Sequence, residues 1–247
     1  MFVRGDLHIH TVLSPCGDLD MSPRTIVEHA LKQNLRILGI TDHNSTLQAG
    51  VVAALGAAEG LLVLHGAEVT SKEEIHLLAL FADAPTAAMF QRFIDTNLPE
   101  VVNRTEIFGH QVVVDAYDTI TYVEDRLLIS ALQATLNEIE EEVHRLNGIF
   151  IPAHIDKPVN SIISQLGFIP PGLPVEAFEI TGFIGLGEAR ERFLIPPSIP
   201  IIRNSDAHIP SDIGRNFSLF ELEKLEFDEV KMALQNLHGR SVQPLSN

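Results

Sequence analysis

The chain has 247 residues, 45% hydrophobic and 20% charged, the composition of a globular protein with a substantial core and a length that suits one large α/β domain. No apolar run reaches membrane-spanning length, and no basic stretch followed by an apolar segment opens the chain, so neither a membrane partner nor a secretory leader is expected. A single cysteine, Cys16, excludes an intrachain disulfide and fits a cytoplasmic setting, and a formal net charge of −16 argues against long nucleic acid, whose phosphates it would repel.

Residues 2–7 are predicted as a first strand that runs into "LHIHT". Residues i and i+2 of a strand share a face, so His8 and His10 converge, and two neutral imidazoles at one point suit a metal ion. Ser22 and Pro23 offer an N-cap and a first helical position, and Ile26, Val27, Ala30 and Leu31 form the helix's apolar face. A second strand is expected over 37–41, an Ala-rich helix over 47–58 ended by Gly60, and a third strand over 61–69. After the polar turn "SKEE", residues 76–81 read as a fourth strand and 85–95 as a helix. Thr135 and Glu138 form a capping box for a helix that Asn147 and Gly148 stop. Strands follow in "IFIPAHID", "VEAFEIT" and "IPIIRNSDAH", then a strand over 218–222 and a last helix over 227–237. This alternation argues for a parallel sheet with barrel-like closure. Residues 98–129 break the rhythm, with a hairpin turn expected at 115–118, and read as an insertion over one end of the barrel.

Nearly every expected strand ends on a potential ligand. Asp42 and His43 end the second in "TDHN", Glu68 the third in "HGAEVT", His154 ends "IFIPAH", and Asp206 and His208 end "IIRNSDAH". In a parallel barrel the carboxyl ends of the strands share one face, and that face carries the chemistry. His76 begins its strand, so it reaches the same face only if that strand runs antiparallel or its turn loops back. His29, His65, His110, His144 and His238 match no such pattern and are read as structural or solvent-exposed.

The series "DLHIHT…TDHN…GAEVT…H…AH…SDAH" resembles the PHP family, named for polymerase and histidinol phosphatase, and spans most of the chain in family order. The resemblance implies a distorted (β/α)7 TIM-like barrel with an inserted segment, two or three divalent ions (zinc, iron or manganese) and hydrolysis of phosphate esters. Carried over by position, His8, His10, Glu68 and Asp206 would hold one ion. Glu68 would bridge to a second held with His76 and His154. His43, His208 and a residue after "HIHT" would hold a third. The segment "VLSPCGDLDMSP" is longer than the family's usual stretch there; alignment backward from Ser22 and Pro23 favours Asp18, with Asp20 and Cys16 as rivals.

Imidazole and carboxylate ligands suit zinc, iron or manganese better than magnesium. Such ions lower the pKa of water toward ~7 and so provide an attacking hydroxide. Asp42, His43 and His208 are the catalytic candidates, Asp42 alternatively orienting a ligand imidazole. Lys157, three residues after His154, and Arg215, seven after His208, are the candidates for holding substrate phosphate; Arg203 lies within a strand at odd spacing from Asp206 and is expected to face away. The function expected is a phosphomonoesterase acting on a small phosphorylated metabolite or nucleotide. The alternatives are an exonuclease or phosphodiesterase on short oligonucleotides and a non-catalytic metal-binding module. An amidohydrolase would share the H-x-H strand but leave "TDH" and Glu68 without a role.

Overall fold

A computed structural model describes residues 1–246. In chain order the elements are β1 (Phe2–Ile9), α1 (Pro23–Lys32), β2 (Leu35–Ile40), α2 (Ala49–Ala58), β3 (Leu62–Thr70), β4 (His76–Phe81), α3 (Ala84–Asn97), α4 (Thr105–Phe108), β5 (Val112–Val114) and β6 (Ile120–Val123). They continue with α5 (Leu136–Arg145), β7 (Ile149–Pro152), α6 (Ile162–Leu166), β8 (Phe178–Glu179), α7 (Leu186–Arg192), β9 (Ile201–Ile202), β10 (Asn216–Glu221), α8 (Phe227–Leu234) and β11 (Ser241–Ser246).

The main sheet runs β11-β10-β1-β2-β3-β4-β7 and curls on itself. The short parallel pair β8-β9 fills the remaining arc: Ile155 N–H donates to Glu179 O beside β7, and His10 N–H donates to Ala207 O beside β1. The result is a distorted TIM-like barrel. Its interior is a cluster of Leu7, Ile37, Leu64, Leu78, Ile151 and Ile202, one residue from each of six strands. The helices pack outside: Ile26 and Val52, on α1 and α2, meet the outer faces of β1 to β3, while Phe90 and Ile139, on α3 and α5, meet those of β3, β4 and β7.

The sheet is mixed, whereas the alternation points to a parallel one with only the strand of His76 left open to run antiparallel. β1, β2 and β3 are parallel, but β4 is antiparallel to both β3 and β7. The cause is local: Thr70 pairs with His76, and the turn over 71–75 is too short for a crossover helix, so the chain must fold back as a hairpin. β11, not expected from the sequence, contains Pro244 and lies at the sheet edge, where a missing N–H is tolerated.

β1 departs from strict alternation in a way that matters for the site. Its register against β2 shifts between Asp6 and Ile9. Leu7 therefore joins the barrel interior, Ile9 joins the outer layer, and His8 and His10 are both left to face the carboxyl end. Close approach of β1 and β2 depends on Gly39, where a Cβ would lie 2.4 Å from Leu7 O. Gly39→Ala is expected to destabilise the fold by about 2–4 kcal/mol through that backbone clash, read as a lower urea midpoint. An unchanged midpoint would show that the strands part there without cost.

Residues 98–129 hold α4 and the β5-β6 hairpin, outside the main sheet. Val112 and Val114 pack on Val12, Gln48 exchanges hydrogen bonds with Val114, and Asn44 Nδ2 donates to Leu128 O and Ser130 O. The hairpin thus leans on the loops that follow β1 and β2. No helix among the described residues is long and apolar enough to cross a membrane.

Candidate metal centre

Glu68 is the hub. It lies two residues before the end of β3, is 1% exposed, and sits among five imidazoles. Its Oε1 lies 2.8 Å from His76 Nδ1, 3.0 Å from His154 Nε2 and 3.4 Å from His8 Nε2. Its Oε2 lies 3.2 Å from His43 Nδ1 and 3.4 Å from His10 Nε2. Asp206 Oδ1 approaches both His8 Nε2 and His10 Nε2 at 3.3 Å. Because β4 is antiparallel, its first residue, His76, lies at the same end of the barrel as the last residues of β1 and β3.

The backbone is strained where ligands are presented. His154 has φ of +28° and Asp206 φ of +52°, both in the left-handed region. Such conformations persist only where surrounding contacts fix them, and they gather at functional sites.

The electrostatics favour a cation at the centre. Burial alone would raise the Glu68 carboxyl, but His76, His8 and His43 outweigh it and hold it well below its ordinary value. Asp206 behaves alike: burial opposes ionisation, and His8 and His10 win. Burial would lower His8, yet the charges of Glu179, Asp206 and Glu68 raise it well above the usual imidazole range. His208 is pushed down to about 4 by burial and by His10, so it is a neutral donor at pH 7. His43 Nδ1 and His154 Nδ1 are buried without hydrogen-bond partners. Ionised carboxylates gathered with imidazole nitrogens are what a divalent ion needs, so the residues fit the metal centre that the family resemblance implies.

Three overlapping groups have ligand atoms within 4.8 Å of one another: His8, His10, Glu68 and Asp206; His43, Glu68 and His76; and His10, Cys16, His43 and His208. The first is the set expected from the sequence. The second takes in His43, and His154 approaches it through Glu68 Oε1. The third differs at the loop position. Asp18 is exposed and accepts the Asp20 N–H at 2.8 Å, and neither aspartate joins a group; Cys16 does.

The catalytic candidates divide. His43 and His208 belong to the clusters, but Asp42 is 1% exposed and fully engaged, accepting from Thr11 N at 2.7 Å and from Ser14 Oγ at 2.6 Å. Ser14 Oγ in turn lies 2.9 Å from His10 Nδ1, so Asp42 is placed to orient His10 through Ser14. Glu179, not singled out from the sequence, has the larger role of this kind. It lies 3.1 Å from His8 Nδ1 through both oxygens, and it accepts from His154 N and Asn204 Nδ2 at 2.8 Å. Its position at the end of "EAFE" follows the same strand-end rule that picked out the ligands.

A cavity of about 350 Å³ opens beside the centre, lined by His154, Lys157, Asp206 and Arg215 among others. Lys157 Nζ lies 2.5 Å from Asp206 Oδ2, and Arg215 reaches the rim on a mostly solvent-exposed side chain, 3.8 Å from Asp212. Arg203 turns away, as its spacing implied, and donates to Ile184 O. Among the unmatched histidines, His29 lies 2.9 Å from Thr25 O, His144 pairs with Glu140 and Glu176, and none of the five joins a ligand group.

No protein-family model matches the chain. Over 93 residues, 34% of the chain and 54% of the relative, it is 37% identical to the uncharacterised protein MJ1587 of Methanocaldococcus jannaschii. A two-domain protein of Bacteroides vulgatus, described as containing a predicted PHP-like metal-dependent phosphoesterase, superposes with a TM-score of 0.62 at 16% identity, over 100% of this chain and 65% of that one. The chain carries a PHP-type barrel. The same barrel is found in the lesion-specific endonuclease PfuEndoQ of Pyrococcus furiosus, with a TM-score of 0.69, 22% identity, and coverage of 98% of this chain and 58% of that one. An Endonuclease Q bound to a 27-mer duplex with an abasic lesion at its active site gives a TM-score of 0.72. This chain therefore spans little more than half the length of Endonuclease Q or of MJ1587.

The duplex-bound neighbour corrects one expectation. The net charge argues against long nucleic acid, yet a protein with this PHP barrel holds duplex DNA at its active site. A sum over the chain does not set the field at one face: here Lys157 and Arg215 line the cavity, and bound cations would add positive charge beside it.

Proposed function

We propose that the protein is a metal-dependent hydrolase of phosphate esters. The observation that carries this reading is the sharing of one buried carboxylate, Glu68, by five imidazoles at the open end of the barrel. Divalent ions bound there supply Lewis acidity, lowering the pKa of water and offsetting phosphate charge. The residues of the chain do the rest. Glu179, and Asp42 through Ser14, fix the orientation of His8 and His10. Lys157 and Arg215 attract the phosphate, Lys157 as a point charge and Arg215 through a bidentate fork. His208, neutral and half-buried at the rim, offers a nitrogen donor to a bound ion.

The cavity has the volume of a small-ligand site, which favours a phosphomonoester of a metabolite or nucleotide. A second reading, cleavage of a phosphodiester in nucleic acid, is favoured by the likeness to Endonuclease Q on its duplex. Metal-loaded protein assayed on nitrophenyl phosphate, on a nucleoside monophosphate and on duplex DNA with an abasic site separates the two, and inactivity on all three would remove both. Lys157→Ala is expected to lower kcat/KM on the preferred substrate at least about tenfold, or ~1.4 kcal/mol, with metal content unchanged. Wild-type kinetics in that variant would take Lys157 out of the site.

A further inference from the structure

We infer that Cys16 is a metal ligand, forming with His10, His43 and His208 a mixed sulfur–nitrogen site for a soft divalent ion such as zinc, ferrous iron or cobalt(II). The inference rests on the reading of the centre as metal-binding and specifies its donors. One potential ligand atom from each of these four residues lies within 4.8 Å of the others. His10 is fully buried and His43 is 6% exposed, and His43 Nδ1 has no hydrogen-bond partner.

The loop is built to bring the sulfur there. Ser14 N–H donates to Thr11 O at 3.1 Å, and Gly17 N–H to Ser14 O at 2.9 Å, two successive tight turns that fold the chain back after β1. A Cβ at Gly17 would lie 2.3 Å from Thr11 O, so the turns close this tightly only around glycine. Asp18 N–H then donates to His208 O at 2.8 Å, pinning the loop against the strand-end segment that carries His208. The same pin leaves the Asp18 carboxylate on the outside, capping Asp20 N–H.

The donor set sets the preference. Three imidazoles and a thiolate are borderline-to-soft ligands, which favour zinc, ferrous iron or cobalt(II) over magnesium or manganese. When the ion binds, the S–H bond breaks, a sulfur–metal bond forms and the proton leaves to solvent, with no change of oxidation state.

Because Cys16 is the only cysteine in the sequence, every thiol signal reports on this site. The full chain is loaded with cobalt(II) and its bound cobalt counted. A near-ultraviolet thiolate-to-cobalt charge-transfer band is expected, retained in Asp18→Ala and lost in Cys16→Ser. The unmodified protein should react with a thiol reagent at least about tenfold more slowly when loaded than after chelation, a readout that needs no variant to fold. Bound cobalt with no such band and a freely reacting thiol would overturn the role of Cys16 while leaving the metal centre standing. A chain that takes up no cobalt would overturn both.

Discussion

Glu68→Gln is expected to lower kcat/KM on a phosphate ester by at least about a hundredfold and to cost at least one bound metal ion per chain. The side chain keeps its volume and loses one charge, so the change tests charge and not packing. Two features make that charge matter more than any other in the centre. It is shared among His8, His10, His43, His76 and His154, so it belongs to more than one ligand group. It is also almost wholly buried, so solvent cannot replace it. A glutamine there would offer a single acceptor oxygen, with its NH2 group turned toward imidazole nitrogens. His43→Ala should be milder, since His8, His10, Glu68 and Asp206 form a ligand group without it. Elemental analysis beside steady-state kinetics checks both variants. Equal and mild effects would refute the assignment of Glu68 as the shared ligand.

Much of this centre could be read from the sequence because strand ends carry its residues. His8, His10, Glu68, His154, Asp206 and His208 were all picked out by their place after apolar runs, and the structure brings them to one end of the barrel. That rule rests on the geometry of β-strands, which a one-dimensional pattern preserves. What it does not preserve is backbone detail. The register shift in β1, the left-handed φ of His154 and Asp206, and the fold-back of β4 all decide where a side chain points, and none leaves a periodic trace. The loop after His10 shows the limit plainly. Counting residues from Ser22 favoured Asp18, because a count assumes one extended path. The path instead doubles back at Ser14 and again at Gly17, and so presents Cys16. Short elements escaped for a different reason: α6 has five residues, fewer than two turns, and its capping serines, Ser161 and Ser164, are too common a pair to mark a helix alone.

Glu179→Gln is expected to weaken metal affinity by about 10–100-fold, the usual effect of losing the partner that orients a ligand histidine. Glu179 is 2% exposed, and although burial opposes its ionisation, His8 holds its carboxyl below the ordinary glutamate value. Oε1 accepts from Asn204 Nδ2 at 2.8 Å and Oε2 from the His154 backbone N–H at 2.8 Å, while both face His8 Nδ1 at 3.1 Å. All these partners are donors in that arrangement, so His8 keeps its Nδ1 proton on Glu179 and directs Nε2 at Glu68 and Asp206, the nitrogen that would give up its proton to a bound ion. A glutamine keeps one acceptor and turns an NH2 toward Asn204 or toward the His154 backbone, leaving buried donors face to face at a cost of about 1–3 kcal/mol. The variant should therefore show a lower Tm in the absence of metal as well as weaker binding. Asn204→Ala separates these effects: it removes one donor but leaves the Glu179 charge against His8, so stability should fall with metal affinity largely kept. Competition with a chromophoric chelator measures the affinities, and thermal unfolding of metal-free protein measures the stabilities. Metal affinity in Glu179→Gln equal to that of the unmodified chain would show that His8 needs no carboxylate behind it.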